Sequence, residues 1–312
     1  MLEDSVLEMD LEMDSDPVQV TVVGVGNAGG SAVEDMIDRG LENVAYVVVN
    51  TDRQALEGSR AGQKLSMEGS TPEGIKAIRE ELTEILRSSD LVLVIAGMGG
   101  TTGTNAAPVV AEIARSLGIL TIGLVTKPFD FEEPSRKELA EKGISALLEH
   151  TDSTLVFTEE SLHRMTGQAV TSQNAFALAD EILSAAVRDL VNPILLPGVI
   201  QLDLADVSDM TKNGGTMEMA MAHASGENKR EEVVQMVMES PTVKAAVAAA
   251  RGLMITIACS ADVGFEEVDF IIKVMTEYVG ETTDVIWSLV FDEHMENEIR
   301  ITAFACGLAN AA

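Results

Sequence analysis

LVLVIAGMGGTTGTNAAPVVAEIARSL, residues 91–117, divides into an apolar run (91–96), a glycine- and threonine-rich turn (97–108, GMGGTTGTNAAP) and a helical pattern (109–117). A buried strand, a turn without bulk and a helix start, in that order, aim unsatisfied backbone N–H groups and the positive end of a helix dipole at one point. Such a point suits a phosphate. The hydroxyls of Thr101, Thr102 and Thr104 add donors, while Gly99, Gly100 and Gly103 let the backbone approach a bulky anion. An ordinary strand-to-helix turn rich in small residues is the plainer alternative. No Gly-Lys-Ser or Gly-Lys-Thr is present, which excludes a Walker loop.

Upstream, VQVTVVGVG (18–26) leads through Gly24-Val25-Gly26-Asn27-Ala28-Gly29 into a helical pattern ending at Asp38, a GxGxxG in a strand–turn–helix setting. The next apolar run, VAYVVVNTD (44–52), ends in Asn50, Thr51 and Asp52, polar groups at the end of a strand where open α/β sheets place ligand contacts. A loop (58–74) and a helix from about Glu73 to Ser88 precede the opening stretch. Residues 119–126 (ILTIGLVT) and 154–158 (TLVFT) give two more strands. Strands alternating with helices at this spacing predict a doubly wound parallel sheet with right-handed crossovers, both glycine loops lying on one edge. A nicotinamide dehydrogenase would use the first loop and Asp52 but has no need of the second loop. A nucleoside di- or triphosphate fits both.

The chain has 312 residues, is 46% hydrophobic and can bury a sizeable core in about two domains. A formal charge of −30 argues against unaided binding to nucleic acid or an anionic membrane, since both would be repelled. A solvated acidic surface is the plain cause of that charge. Cys259 and Cys306 lie in apolar runs and read as buried, reduced thiols of a cytoplasmic protein. His150, His163, His223 and His294 stand singly, so no metal centre is expected among them. The first 16 residues carry seven acids, no basic leader region and a set of apolar residues (Leu2, Val6, Leu7, Met9, Leu11, Met13) that could form one adhesive face; they read as a disordered acidic arm.

GMGGTTGTNAAPVVAEIA closely resembles the signature loop of the tubulin/FtsZ family, whose usual bacterial form is GMGGGTGTGAAPVVAEIA. The likeness continues in order through GVGNAGGSAV (24–33), VNTDRQAL (49–56), VTKPFDFE (125–132), QLDLADV (201–207), ASGENKREEVVQMVMESP (224–241) and ARGLMITI (250–257). It covers residues 18–310, as a divergent FtsZ-like member would.

The resemblance implies a Rossmann-like GTPase domain (17–171), a central connecting helix (172–192) and a smaller α/β domain with a mixed sheet (193–312). It implies GTP or GDP as ligand, with Mg2+ as companion ion, and head-to-tail polymerisation into protofilaments, in cell division or a related prokaryotic cytoskeletal role. Carried over, the nucleotide contacts are Gly24, Gly26, Asn27, Ala28 and Gly29 in the first loop, and Asn50. The phosphate loop is Gly97, Met98, Gly99, Gly100, Thr101, Thr102, Gly103, Thr104 and Asn105. Ribose contacts fall at Glu132 and Arg136. Phe176 would stack on the base and Asp180, standing for the family's Asn, would read guanine N1–H and N2–H₂. The family's catalytic loop, usually NVDFADV, gives Gln201, Asp203 and Asp206, which would act on the γ-phosphate held by the next subunit. From spacing alone, Asp206 could equally cap the helix that follows.

Several departures imply slow hydrolysis. Gln201 reaches one methylene further than Asn, Thr101 and Asn105 replace glycines, the γ-phosphate loop is shortened to MEGSTPE (67–73), and Glu159 and Glu160 fall near the expected base and ribose edge. The second reading is therefore a nucleotide-binding scaffold without turnover, and the remote one a Rossmann-type oxidoreductase. Partners are further copies of the chain and a related FtsZ with which it would co-polymerise. The adaptor-binding tail usual in the family is not expected here. In the second domain, helices are predicted at 206–213, 228–239 and 265–279 and strands at 216–224, 252–259, 283–291 and 298–307, with Trp287 as packing.

Overall fold

Unbroken runs of Val, Ile and Leu, such as VTVVGV and LVLVIAG, have no polar face to show to water, so they fold as strands covered on both sides. The computed structural model describes residues 17–70, 72–196, 199–212, 215–260, 263–280, 283–292 and 295–308. The acidic arm (1–16), Thr71 of the shortened loop and His294 lie outside the described residues. Elements follow in the order β1 (Val20–Val25), α1 (Gly26–Asp38), β2 (Val44–Asn50), α2 (Arg53–Gly58), β3 (Gln63–Ser66), α3 (Pro72–Ala77), α4 (Arg79–Leu86), β4 (Leu91–Gly97), α5 (Thr101–Ser116), β5 (Leu120–Thr126), α6 (Pro134–Leu148), β6 (Ser153–Phe157), α7 (Glu159–Thr166) and α8 (Ala175–Leu195). After α8 come α9 (Leu204–Thr211), β7 (Gly215–Ser225), α10 (Lys229–Glu239), α11 (Pro241–Ala249), β8 (Gly252–Cys259), α12 (Phe265–Val279), β9 (Asp284–Phe291) and β10 (Glu298–Leu308).

One sheet runs through the molecule in the order β3-β2-β1-β4-β5-β6-β7-β10-β8-β9. Strands β1 to β6 are parallel, as the alternation of strand and helix predicts. The last four form the mixed part, β10 being antiparallel to β7 and β8, and β9 parallel to β8. Alternate residues of β1 serve two cores: Val20 and Val22 pack with α1 and α8, Val23 and Val25 with α4, α5 and α6. That two-sided burial is what doubly wound means in physical terms. A third core fills the space between α10, α12 and the mixed strands, where Trp287 is partly buried, and the first core extends across to Met217, Met254 and Phe304. Cys259 and Cys306 are buried and not joined in a disulfide, and burial pushes the Cys306 thiol up to about 12.

The structure corrects the sequence reading in places. The expected loop at 58–74 contains β3, in which only Leu65 is buried, too sparse a pattern to signal a strand. The helix expected from Glu73 to Ser88 breaks at Ile78 into α3 and α4. Helix α8 begins at Ala175 and continues to Leu195, carrying Pro193 in its last turn.

Close packing of α1 on the sheet depends on two glycines. A Cβ on Gly29 would sit 2.4 Å from Ile95 O and 2.9 Å from the Gly24 carbonyl carbon, and one on Gly24 would sit 2.4 Å from Gly29 O. Both obstacles are backbone and cannot rotate away. Gly29→Ala is expected to cost about 1–3 kcal/mol through overpacking, seen as a lower midpoint of thermal unfolding; an unchanged midpoint would show that α1 is not clamped there.

Candidate functional site

Strands β1 and β4 are adjacent and in register, Val25 opposite Ala96, so the two glycine loops leave the sheet side by side. They touch: a Cβ on Gly26, whose φ is +73°, would stand 3.2 Å from Gly103 N. Helices α1 and α5 start at these loops with no side-chain cap and no acid in the first turn. Asp52, Thr158 and Asp203 cap α2, α7 and α9, whereas α4, α6, α8 and α10 also lack a side-chain cap, so what sets α1 and α5 apart is that their starts meet. Two bare helix N-termini converging on one point leave N–H donors and positive dipole ends for an anion.

That point is the floor of a cavity of about 540 Å³. Of the expected contacts, Gly26, Asn27, Ala28, Gly97, Met98, Gly100, Thr101, Thr102, Gly103, Glu132, Arg136, Phe176 and Asp180 line it. Six do not, and each has a structural task. Gly24 and Gly29 seat α1 on the sheet. Gly99, at φ +92°, turns the loop where a Cβ would strike Pro128. Thr104 is buried and its Oγ1 accepts from Gly99 N at 2.8 Å, pinning that turn from within. Asn50, also buried, donates to Asn27 Oδ1 at 2.8 Å and accepts from Thr51 and Asp52 N–H, tying the end of β2 to the first loop. Asn105 faces away and donates to Ser70 O at 3.2 Å, so it fastens the shortened loop to α5 and leaves the phosphate cradle clear.

The far wall is aromatic. Phe176, 58% exposed, meets Phe129 edge-on at 5.3 Å, and Phe129 stacks on Phe131 at 5.5 Å. One turn along α8, Asp180 accepts from Ser31 Oγ at 2.6 Å. Burial pushes its carboxyl up to about 6, the Ser31 hydrogen bond opposes this, and nearby Asp35 adds to the rise. Glu132 accepts from Phe129 N at 2.9 Å and pairs with Arg136 at 2.7 Å, which fixes both against the rim. Thr51 and Asp52, expected at the end of β2, line the cavity, and so do Ser31, Thr126, Lys127 and Pro128, which were not singled out from sequence; the VTKP run at the end of β5 was the available signal for the last three, since β5 neighbours β4.

Glu159 accepts from Asp130 N, next to the cavity-lining Phe129, and Glu160 pairs with Arg164 on α7; neither lines the cavity itself. Asp52 caps α2, its Oδ1 accepting from Gln54 and Ala55 N–H. Asp203, rather than Asp206, caps α9, accepting from Ala205 N at 3.1 Å. Asp206 stands exposed in the first turn of α9, and Gln201 donates to Leu196 O at 2.8 Å. Gln201, Asp203 and Asp206 are absent from the cavity lining of their own chain. Among the described residues no group of three or more His, Cys, Asp or Glu could hold a metal. His150 is half-buried, while His163, whose Nδ1 lies 2.7 Å from Gln168 O, and His223 are exposed.

Residues 19–167 match the model of the Tubulin/FtsZ family, GTPase domain, and residues 215–309 that of the FtsZ family, C-terminal domain. Among solved structures, an FtsZ dimer from M. jannaschii, described as empty, is 32% identical with TM-score 0.86, over 94% of this chain and 89% of that one. A GTPγS-bound protofilament of CetZ2 from Haloferax volcanii, at 18% identity and TM-score 0.72, covers 94% of each chain. CetZ from Methanosaeta thermophila, at 16% identity and TM-score 0.74, covers 94% and 87%. These last two share the fold.

Proposed function

Since the chain belongs to the tubulin/FtsZ family, we propose that it is a GTP-binding cytoskeletal protein that stacks head to tail and hydrolyses GTP at each subunit junction. The observation that carries this reading is the division of the site. An anion cradle and a base wall share one cavity, while the acids suited to activating water stand exposed at the start of α9, outside it. A second subunit placed against the cavity would bring them in. There, Asp206, with Asp203 beside it, would orient water against the γ-phosphate. Mg2+ would supply charge neutralisation of the phosphates. Residues 17–171 form the nucleotide unit in this scheme, 172–192 the connecting helix and 193–312 the unit that carries the catalytic loop.

Turnover is slow in this reading, because the Gln201 amide is held by Leu196 O within its own loop. The cellular role is filament formation in division or a related cytoskeletal task, in the cytoplasm, alone or together with a related FtsZ. Phosphate release from GTP, followed over a series of protein concentrations alongside sedimentation, tests the scheme. Release should rise more steeply than protein concentration and parallel the sedimented fraction. Release strictly proportional to protein would refute a shared site.

Asp180 makes guanine binding depend on pH. The base is read by a carboxylate accepting from N1–H and N2–H₂, and this carboxyl titrates near 6 in the free chain. Its charged form predominates above that value and is lost below it, so GDP affinity should weaken about tenfold per pH unit on the acid side of 6. Titrations of GDP between pH 5 and 7.5 check this, and Asp180→Asn should flatten the profile.

A further inference from the structure

Strand β7 leaves most of one edge open. It pairs with β10 from Thr216 to Ser225, but with β6 only from Gly215 to Met217. Gly226 N–H bonds to Asn297 O on the β10 side, so even-numbered residues face β10 and the backbone groups of Met219, Met221 and His223 face the open side. Thr242 Oγ1 takes the Met219 carbonyl at 3.1 Å. From Ala220 to Ser225, among the described residues, no strand lies beside this edge. A groove of about 430 Å³ runs along it, walled by Arg164 and Met165 on one side and by Met236, 46% exposed, on the other. A long open edge is a template for another strand.

The chain carries a segment patterned for it. Leu7-Glu8-Met9-Asp10-Leu11-Glu12-Met13-Asp14 alternates apolar and acidic residues without a break, the period of a half-buried strand. Laid beside β7, one set of side chains would meet the Met236 wall and the acids would turn towards Arg164 and His223. Reach decides which copy supplies it. Val20 is level with Leu120 on β5, and Gly215 with Ile122, so Ala220 stands seven residues above the base of β1. With three strand spacings sideways, the gap is about 27 Å. The six steps from Asp14 to Val20 span at most about 22 Å. We infer that residues 7–14 of one chain add as a strand to the open edge of β7 in a second copy.

Mixing full-length Met9→Cys chains with full-length His223→Cys chains under mild oxidation tests this, with Leu7→Cys and Leu11→Cys to sample the register. Cys259 and Cys306 are buried and stay out of the exchange. At least one arm position should give a disulfide-linked heterodimer, formed more readily at high salt, where repulsion between two chains of charge −30 is screened. Adding Met221→Pro to the His223→Cys chain removes an N–H on the open side alone, an edge position that tolerates proline, and should reduce the cross-link at least tenfold while circular dichroism stays native. No cross-link at any arm position, or one that survives Met221→Pro in a folded chain, overturns the proposal. A link formed within one doubly substituted chain at a rate independent of concentration overturns the assignment to a second copy.

Discussion

Asp206→Ala chains should bind GDP as the unaltered chain does and release phosphate from GTP about 10²–10⁴-fold more slowly, the range that general acid–base groups supply. Binding is spared because Asp206 lies outside the cavity, exposed in the first turn of α9. Folding is spared because the helix keeps its cap at Asp203. Mixing gives the sharper result. Gly103→Val should block the cradle, since a Cβ there would stand 2.5 Å from Gly97 O. Neither variant alone would turn over. In an equimolar mixture, junctions that join an intact cavity to an intact catalytic loop arise at random in about one case in four, because head-to-tail contacts pair unlike surfaces. Recovery of roughly that fraction of phosphate release is expected. A mixture as inactive as its components would mean that cavity and acids belong to one chain's chemistry or to none.

The largest effect on stability is expected at Asp189. This carboxylate on α8 is almost fully buried, yet it holds Arg188 at 2.8 Å, lies 3.6 Å from Arg300 and accepts from Thr302 Oγ1 at 2.6 Å; its backbone carbonyl accepts from Thr256 Oγ1. The groups come from α8, β8 and β10, so the network bolts the helix to the mixed part of the sheet. Asp189→Ala would leave two guanidinium groups facing an empty acceptor, at a cost of about 3–5 kcal/mol, or a fall in midpoint on the order of 10 °C for a chain of this size. Asp189→Asn keeps the shape and should cost less. Burial alone would raise this carboxyl, but the Arg188 and Arg300 charges outweigh it and hold the group below the usual carboxylate range. A lowered folded value contributes stability that is full above about pH 4 and is lost as pH falls through the folded value. The gap in unfolding midpoint between the unaltered chain and Asp189→Asn should therefore narrow in acid. A constant gap would show that the charge of Asp189 contributes nothing.

The sheet was legible because its strands are long apolar runs that nothing else in solution can shelter, and the two glycine loops because bare helix starts demand small residues. What escaped was set by contacts remote in sequence. Strand β3 pairs with β2 through a segment in which only Leu65 is buried, so no local pattern marks it. Asn50, Thr104 and Asn105 have side chains suited to a ligand and stand in the right loops, yet their partners are Asn27, Gly99 and Ser70. Sequence identifies a polar group near a site; it does not reveal which way that group turns. Ser31 escaped for the opposite reason, a small residue on α1 that matters only because α8 brings Asp180 to it.

Helix α8 has buried residues on every side and runs 21 residues, about 30 Å at the usual helical rise. Phe176 and Asp180 stand in the cavity at one end, and the chain leaving the other end at Leu195 leads to Gln201 and then to Asp206 at the start of α9. In the proposed filament, each such rod would start at one nucleotide and finish near the next. A shift of the rod along its axis at one junction would be delivered to its neighbour, so the polymer would have a polarity of communication as well as of assembly.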